Sequence, residues 1–492
     1  MLAHLPILQV IVPLMAAPLC LFLNRPRLVW LFALIASGLA FLISSFLLQQ
    51  VMTSGTISYL LGGWDAPWGI EYRIDQLNAF LLLIISGIST VVLFAADTSI
   101  RQEIPEDRHT LFYVLYLLSL AGMLGILATG DAFNVFVFLE ISSLSAYALI
   151  ALGKDRRALW ASYQYLIMGT IGATFILIGI GMMYQMTGTL NMDDLSRRLP
   201  EVAQTRTVFA AFAFVIVGIC LKLAMFPLHL WLPNAYAYAP SIVTAFFAAT
   251  ATKVAIYLLI RFTFTVFGLS FSFTHIPLQL LFVVFGLAGI FAASTAAIYQ
   301  TNIKHMFAYS SIAQIGYMIV GFSLSTVAGL TATLLHLFNH ALMKGALFLA
   351  LGAVMYRIGS TQIIHFQGLA RQMPVTMAAI VTGGLSLIGV PLTVGFVSKW
   401  YLIVALIDKG WWPVAVLILL GSILAVVYVW RIVETAYFKP ALAGSETIKE
   451  APLTFLIPIW TLVFANIYFG IDTRLSVQVA QAASQSLFGV SP

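Results

Sequence analysis

The sequence predicts an all-α polytopic membrane protein of about fourteen transmembrane helices, containing two inverted five-helix repeats with one broken helix in each. Three observations carry that expectation. Of 492 residues, 61% are hydrophobic and only 9% charged, against about 25% charged in an ordinary soluble domain. Apolar windows of about 20 residues, the length that spans the hydrocarbon core, follow one another along nearly the whole chain. Two windows are interrupted by prolines, in FPLHLWLP at 226–233 and GVPLTVGF at 389–396, and paired interrupted spans point to repeats around a midplane site.

Taken in order, the N-terminal run MLAHLPILQVIVPLMAAPLCLFL has no Lys or Arg ahead of its apolar stretch and no small-residue cleavage site. It reads as a first span and not as a removed signal peptide. Further windows fall near 28–50, 75–95, 111–129, 131–152, 161–184, 208–238 (broken), 240–260, 278–298, 304–322, 327–355, 375–407 (broken), 413–435 and 453–469. The tail from Arg474, RLSVQVAQAASQSLFGV, is amphipathic and too polar to span, so it is expected to lie along the membrane face. The chain 1–492 reads as a single membrane domain, with the first repeat over 111–260 and the second over 278–435. Five spans is an odd number, so the second repeat enters the membrane from the opposite side.

The formal net charge of +6 sits mostly in short loops, where basic residues orient a membrane chain; no nucleic-acid partner is implied. Of the 24 Lys and Arg, thirteen fall in loops on one side, Lys154, Arg156, Lys304 and Arg357 among them, and seven on the other, including Arg73, Arg198 and Arg261. That bias places both termini outside. Cys20 and Cys220 lie in apolar runs far apart, with neither a disulfide framework nor a metal spacing.

The remaining four basic residues, Lys222, Lys253, Lys344 and Lys399, fall inside spans, and among the acids Glu140 sits at mid-helix. Each such group costs about 3 kcal/mol at the bilayer centre and is normally kept for an ion pathway. Lys222 stands just before the first break, whose prolines free backbone carbonyls; the break is therefore expected to line a wet cavity. His229, within it, either extends the path of Lys222 or caps the broken helix. Lys399 follows the second break at Pro391, which favours a cavity position over snorkelling to a surface.

In LLHLFNHALMKGALFL, His336, His340 and Lys344 recur every four residues and so climb one helix face over about 12 Å. Histidine exchanges protons near physiological pH, and the three groups suit a proton relay. The plainer alternative is that the histidines only satisfy neighbouring carbonyls. A metal or haem site is disfavoured, because no H-E-x-x-H is present and two histidines on one face of one helix cannot take opposite faces of a haem. No nucleophile and base constellation accompanies them, so an enzyme is not expected. The glycine pairs Gly125 with Gly130 and Gly286 with Gly289 are read as close helix packing.

Four stretches together carry a resemblance: KLAMFPLHLWLPNAYAYAPSIVTAFFAATATKVAIYLLIR, FNVFVFLEISSLSAYALIAL, HLFNHALMKGALFL and GVPLTVGFVSKWYL. They closely resemble the proton-conducting antiporter-like subunits shared by Mrp-type multisubunit sodium/proton antiporters, the membrane arm of respiratory complex I and membrane-bound hydrogenases. Length and span number are most similar to the D-type subunit of the Mrp antiporters. The resemblance implies a pair at Glu140 and Lys222, a central relay through Lys253, the ladder His336, His340 and Lys344, and a terminal lysine at Lys399. It implies a hetero-oligomer with other membrane subunits, no prosthetic group or metal in this chain, and a place in a bacterial or archaeal cell membrane. The function implied is proton translocation coupled to sodium, or the same task in a redox-driven complex. One departure is Pro391-Leu392, where many relatives carry two prolines.

Overall fold

The computed structural model describes residues 2–23, 25–441 and 448–489. Its α-helices are α1 (Leu5–Leu19), α2 (Pro26–Ser54), α3 (Gln76–Phe94), α4 (Ala96–Glu103), α5 (His109–Ala128), α6 (Ala132–Ala151), α7 (Arg156–Thr187), α8 (Met192–Val202), α9 (Arg206–Leu223) and α10 (Trp231–Tyr238). They continue as α11 (Ser241–Ile260), α12 (Leu278–Tyr299), α13 (Ile303–Ser323), α14 (Val327–Ile358), α15 (Leu369–Gln372), α16 (Pro374–Ile388), α17 (Val394–Asp408), α18 (Trp412–Val433), α19 (Leu453–Ile471) and α20 (Arg474–Leu487). A short antiparallel hairpin, β1 (Ile57–Leu60) and β2 (Glu71–Ile74), follows α2, with Ile57 opposite Ile74.

Among the described residues, twelve helices are long and apolar enough to cross a membrane by length and composition. Two further windows complete the fourteen. One is α13, diluted by Lys304, His305, Gln314 and several serines; the other is the α16–α17 pair, interrupted in mid-course. Helix starts follow the sequence closely because polar side chains mark them. Asp75, Asp131, Asp155, Thr205, Asn302 and Thr326 each accept a hydrogen bond from the first turn of the helix they precede, satisfying donors a helix leaves open.

Two helices form the axis of the bundle. α11 with its π-helical extension Arg261–Val266 is 94% buried over its most apolar window, and every residue of α14 over 329–354 is buried. They pack side by side, with α3, α5 and α9 around α11 and with α13, α16, α17 and α19 around α14. The outer helices instead expose apolar side chains such as Leu42 and Phe46 on α2 and Leu419 and Ile423 on α18, as lipid-facing helices do.

The connections sort into two ends. At one end Tyr72 bridges Thr129, Asp131 bridges Asn191, and Arg73 pairs with Asp193 at 2.7 Å. At the other, Asn302 bridges Gln362 and Lys154 Nζ donates to Gln102 O at 2.8 Å. These are the sets the basic-residue bias assigns to the outer and inner sides. Two residues counted there as loop cations are buried. Arg261 lies in the π-helical extension and pairs with Asp75 at 2.8 Å. Lys304 lies in the first turn of α13 and donates to Ala239 O at 3.2 Å. In the tail, α20 turns Ser476, Val479, Ala480 and Ala483 towards α14 and α3, so protein covers its apolar face. Val490 of that tail lies outside the described residues.

Candidate functional site

α9 carries Lys222 to its last turn, where Nζ donates to Ser143 Oγ at 2.8 Å and to Tyr147 OH at 3.3 Å. Both partners are on α6. They follow Glu140 by three and seven positions, so one face of α6 presents a carboxylate, a hydroxyl and a phenol. Glu140 makes no ion pair with Lys222 within 4 Å among the described residues; its Oε1 is buried without a partner, and the two groups are within electrostatic reach. Tyr147 can stand here only because residue 169 is glycine, since a Cβ there would lie 2.0 Å from the phenol oxygen. Beside Lys222 a cavity of about 50 Å³ is lined by Ser119, Ser142, Ser143 and Tyr165 and by apolar residues of α11. A water needs about 10–15 Å³ on the same measure, so the cavity has room for water.

At the first break, two carbonyls at the end of α9 have protein partners. α9 ends at Ala224, in the left-handed region at φ 57°. The carbonyl of Leu221 accepts from Trp231 Nε1 at 3.0 Å and from the Ala224 N–H, and that of Cys220 from the Met225 N–H. Protein therefore takes up two of the four carbonyls at the end of α9, those of Cys220 and Leu221, and the cavity beside Lys222 is lined by none of 224–233. Trp231 in turn stacks on Tyr165 at 4.0 Å. His229 stacks on Phe226 at 5.2 Å, its Nδ1 is buried without a partner, and its side chain does not cap α10. No hydrogen bond joins it to Lys222.

Between the two breaks, Lys253 on α11 is fully buried and donates to Ala248 O at 2.6 Å. His340 on α14 is fully buried as well, and neither ring nitrogen has a partner among the described residues. Lys253, Lys344 and His336 all lie within electrostatic reach of it. The three ladder residues occupy one face of α14 as their spacing predicts, with the His336 and His340 rings 4° from parallel and 6.3 Å apart. Their partners diverge, however. Lys344 donates to Phe307 O at 2.7 Å and to Ser310 Oγ on α13. His336 bridges two helices, with Nδ1 2.9 Å from Ser398 Oγ on α17 and Nε2 3.0 Å from Gln314 Oε1 on α13.

Lys399 sits one turn into α17 and reaches back across the second break. Its Nζ donates to Leu387 O and Ile388 O, both at 2.9 Å, and to Ser422 Oγ on α18 at 3.0 Å, and it lies 4.8 Å over the Tyr317 ring. An ammonium has three donors, and all three are engaged. The first two acceptors are the open carbonyls at the end of α16, where the helix dipole favours a cation. Gly389, at φ 96°, ends that helix and makes room, since a Cβ there would come within 3.0 Å of Lys399 Cδ. Leu392 follows at φ 70°, a value closed to a proline ring held near −65°. The departure Pro391-Leu392 thus falls at a position whose backbone excludes the second proline.

Several polar partners escape a search for charges. Ser143 and Tyr147 on α6, Ser310, Gln314 and Tyr317 on α13, and Ser398 and Ser422 complete the bonding of the buried bases. A signal for the first two sets exists. Glu140, Ser143 and Tyr147 recur at i, i+3 and i+7, and Ser310, Gln314 and Tyr317 at i, i+4 and i+7, each a polar stripe along one helix face.

Compared with known proteins, residues 129–425 match the family described as NADH:quinone oxidoreductase/Mrp antiporter, TM. The chain is 40% identical over 494 residues to NADH-quinone oxidoreductase subunit N of Desulforudis audaxviator (strain MP104C), covering 96% of each chain. It is 31% identical over 486 residues to the D-type subunit of the Na(+)/H(+) antiporter of Bacillus subtilis (strain 168), covering 98% of this chain and 97% of that one. Among solved structures, a chain of the Mrp complex from Dietzia sp. DQ12-45-1b superposes with a TM-score of 0.90 at 25% identity, covering 99% of this chain and 97% of that one.

Proposed function

This chain belongs to the NADH:quinone oxidoreductase/Mrp antiporter family of transmembrane proteins, and from that premise we propose that it is the proton-translocating subunit of a multisubunit monovalent cation (sodium)/proton antiporter. Protons move through Glu140, Lys222, Lys253, His336, His340, Lys344 and Lys399, with His229 at the edge of the path. The observation that carries this reading is the junction at His340: a fully buried imidazole with both nitrogens unpartnered and three further bases within electrostatic reach. A group placed there for packing alone would leave two polar atoms unsatisfied at a cost of about 1–3 kcal/mol each; a proton carrier needs them available.

In the proposed sequence Glu140 stabilises the ammonium of Lys222. When Lys222 instead binds only the neutral Ser143 and Tyr147, as here, that support is weaker and its proton passes towards Lys253. His340 receives it and His336 hands it through Ser398 to Lys399, with water bridging the gaps longer than a hydrogen bond. A neutral Lys399 keeps two N–H donors for Leu387 and Ile388 while the Ser422 hydroxyl turns to donate to its lone pair.

The two repeats, 111–260 and 278–435, belong to the same proposal. The pattern of elements supports it. In each the third helix has 32 residues, α7 and α14; the fourth is broken, α9–α10 and α16–α17; and the fifth ends in a π-helical turn, Arg261–Val266 and Glu434–Phe438.

A proton crossing the membrane carries about 2.3 kcal/mol per 100 mV, so its flow is coupled to another process. Antiport of sodium, with other membrane subunits in a bacterial or archaeal cell membrane, is the first reading. A second, favoured by the 40% identical relative named as an NADH-quinone oxidoreductase subunit, makes the chain a pump module whose redox chemistry resides in other subunits. Purifying the native complex separates them: small membrane subunits alone accompany an antiporter, and iron–sulfur subunits accompany a redox complex. Lys253→Ala tests what both share. It is expected to stop proton movement in vesicles holding the assembled complex, and unchanged movement would refute the relay.

A further inference from the structure

Where α2, α4, α14 and α19 meet at the inner end of the bundle, three arginines stand around one aspartate. Arg27, Arg101 and Arg357 line an open recess of about 680 Å³ with Asp97, Thr98 and Thr454. The cations outnumber the anion three to one. Asp97 is engaged by Arg101, at 2.7 and 2.9 Å. Arg357 is fixed by a neutral group, donating from Nε to Glu450 O at 2.9 Å. Arg27 has no ion pair or hydrogen bond among the described residues. Two positive charges are therefore left uncompensated at this recess.

A groove of about 400 Å³ runs on from it along the bundle wall, with an almost wholly apolar lining that includes Leu34 and Ile35 of α2, Val91 and Phe94 of α3, and Ile457 and Pro458 of α19. Helical spacing places the groove one to two turns further along the same helices as the recess. Arg27 precedes Leu34 and Ile35 by two turns on α2, Thr454 precedes Ile457 and Pro458 by one turn on α19, and Phe94 leads into the helix that holds Asp97 and Arg101. The groove separates α2 from α19, both of which pack on α3, and Thr98 Oγ1 to Thr454 Oγ1 at 2.8 Å ties α4 to α19 at its inner end.

We propose that this is a binding site for one anionic phospholipid of the inner leaflet, with its phosphate among Arg27, Arg101 and Arg357 and an acyl chain in the α2–α3–α19 groove. Guanidinium groups recognise phosphate through paired hydrogen bonds, and basic pockets between membrane helices on the cytoplasmic side take such headgroups. A soluble anion would leave the groove unused. A zwitterionic lipid would leave the two excess charges unmatched. The bound lipid fills the space between the N-terminal helices and α19, joining the two ends of the chain at the bundle wall.

The test uses the purified native complex, stripped of lipid in detergent and then offered phosphatidylglycerol or phosphatidylcholine of identical acyl chains, with retained lipid counted by native mass spectrometry. The expected result is one phosphatidylglycerol retained in preference to phosphatidylcholine. Arg27→Gln should weaken retention roughly fivefold, the effect of one basic residue near an anionic surface. Gly38→Phe tests the groove independently. Gly38 lines the groove and a Cβ on it meets only Thr90 Cγ2, at 4.0 Å, so a ring attached there is expected to occupy the groove and abolish retention in a complex of unchanged subunit composition. Equal retention of the two lipids, or retention by Gly38→Phe equal to that of the unaltered complex, would overturn the proposal. So would a cross-link from Gly38→Cys to another subunit, which would show a partner helix in the groove.

Discussion

The two broken helices hold their lysines in opposite ways. At the first, Lys222 belongs to the helix before the break and gives its amine to hydroxyls on a neighbouring helix, while the Trp231 indole and two backbone N–H groups cover the carbonyls of Cys220 and Leu221. At the second, Lys399 belongs to the helix after the break and is itself the cover, bonding Leu387 O and Ile388 O. Both breaks hold a residue other than glycine in the left-handed region, Ala224 at 57° and Leu392 at 70°, an arrangement that costs of order 1–3 kcal/mol and persists only when its surroundings enforce it. The contrast separates two tasks. Lys222 can leave its partners without unsealing its break, whereas Lys399 cannot lose its position without exposing two carbonyls. On the proposed path, the titrating group and the cover of the break are distinct at the first break and the same side chain at the second.

The largest effect should come from Lys399→Ala. It is expected to stop proton movement and also to lower the thermal stability of the complex, by about 1–3 kcal/mol for each carbonyl left uncovered. Lys222→Ala should stop proton movement with little change in the melting profile. Equal destabilisation by the two would break the comparison. Sodium binding to the purified complex should survive Lys344→Ala and Lys399→Ala, because sodium prefers oxygen ligands and the groups removed are nitrogen bases.

A smaller effect is expected within the ladder. His340→Lys leaves no hydrogen bond behind, while His336→Lys gives up the bridge between Gln314 and Ser398. The His340 variant should therefore keep more of its proton movement than the His336 variant, lysine still being able to titrate once desolvated. The reverse order, measured in the same vesicles, would mean that the bridge is dispensable. The smallest effect, none on transport, is expected from cysteines at the exposed Arg198 and Arg156. An impermeant thiol reagent should reach the first only from outside and the second only from inside, and opposite labelling would invert the two ends of the path.

Much of this is legible in the amino-acid sequence alone. Fourteen apolar windows match the helices to within a few residues, since span length is set by the bilayer and caps such as Asp131 and Asn302 are written in the sequence. The four lysines and Glu140 stand out because a charge in an apolar run is costly. Partners such as Ser398 and Ser422 do not, for a physical reason: a serine or threonine can satisfy itself on its own helix, as Ser145 does on Ile141 O and Thr250 on Phe246 O, and Ser143 shows only as part of the stripe with Glu140 and Tyr147. Arg261 is buried because its helix continues past the apolar window 240–260, and Lys304 because the first turn of α13 packs against the Ala239 carbonyl. The reach of Trp231 to Leu221 O at the first break is a tertiary fact that no local pattern carries.

The most direct test of the central claim, that protons cross through this buried line of bases, is ion- or redox-driven proton movement in everted vesicles whose complexes carry Glu140→Gln or Lys222→Ala, with assembly verified by subunit composition. Both changes remove a titrating group and leave a neutral residue that is easier to bury than the charge it replaces. Loss of coupled proton movement in fully assembled complexes is the expected result; near-normal movement in either variant would contradict the account.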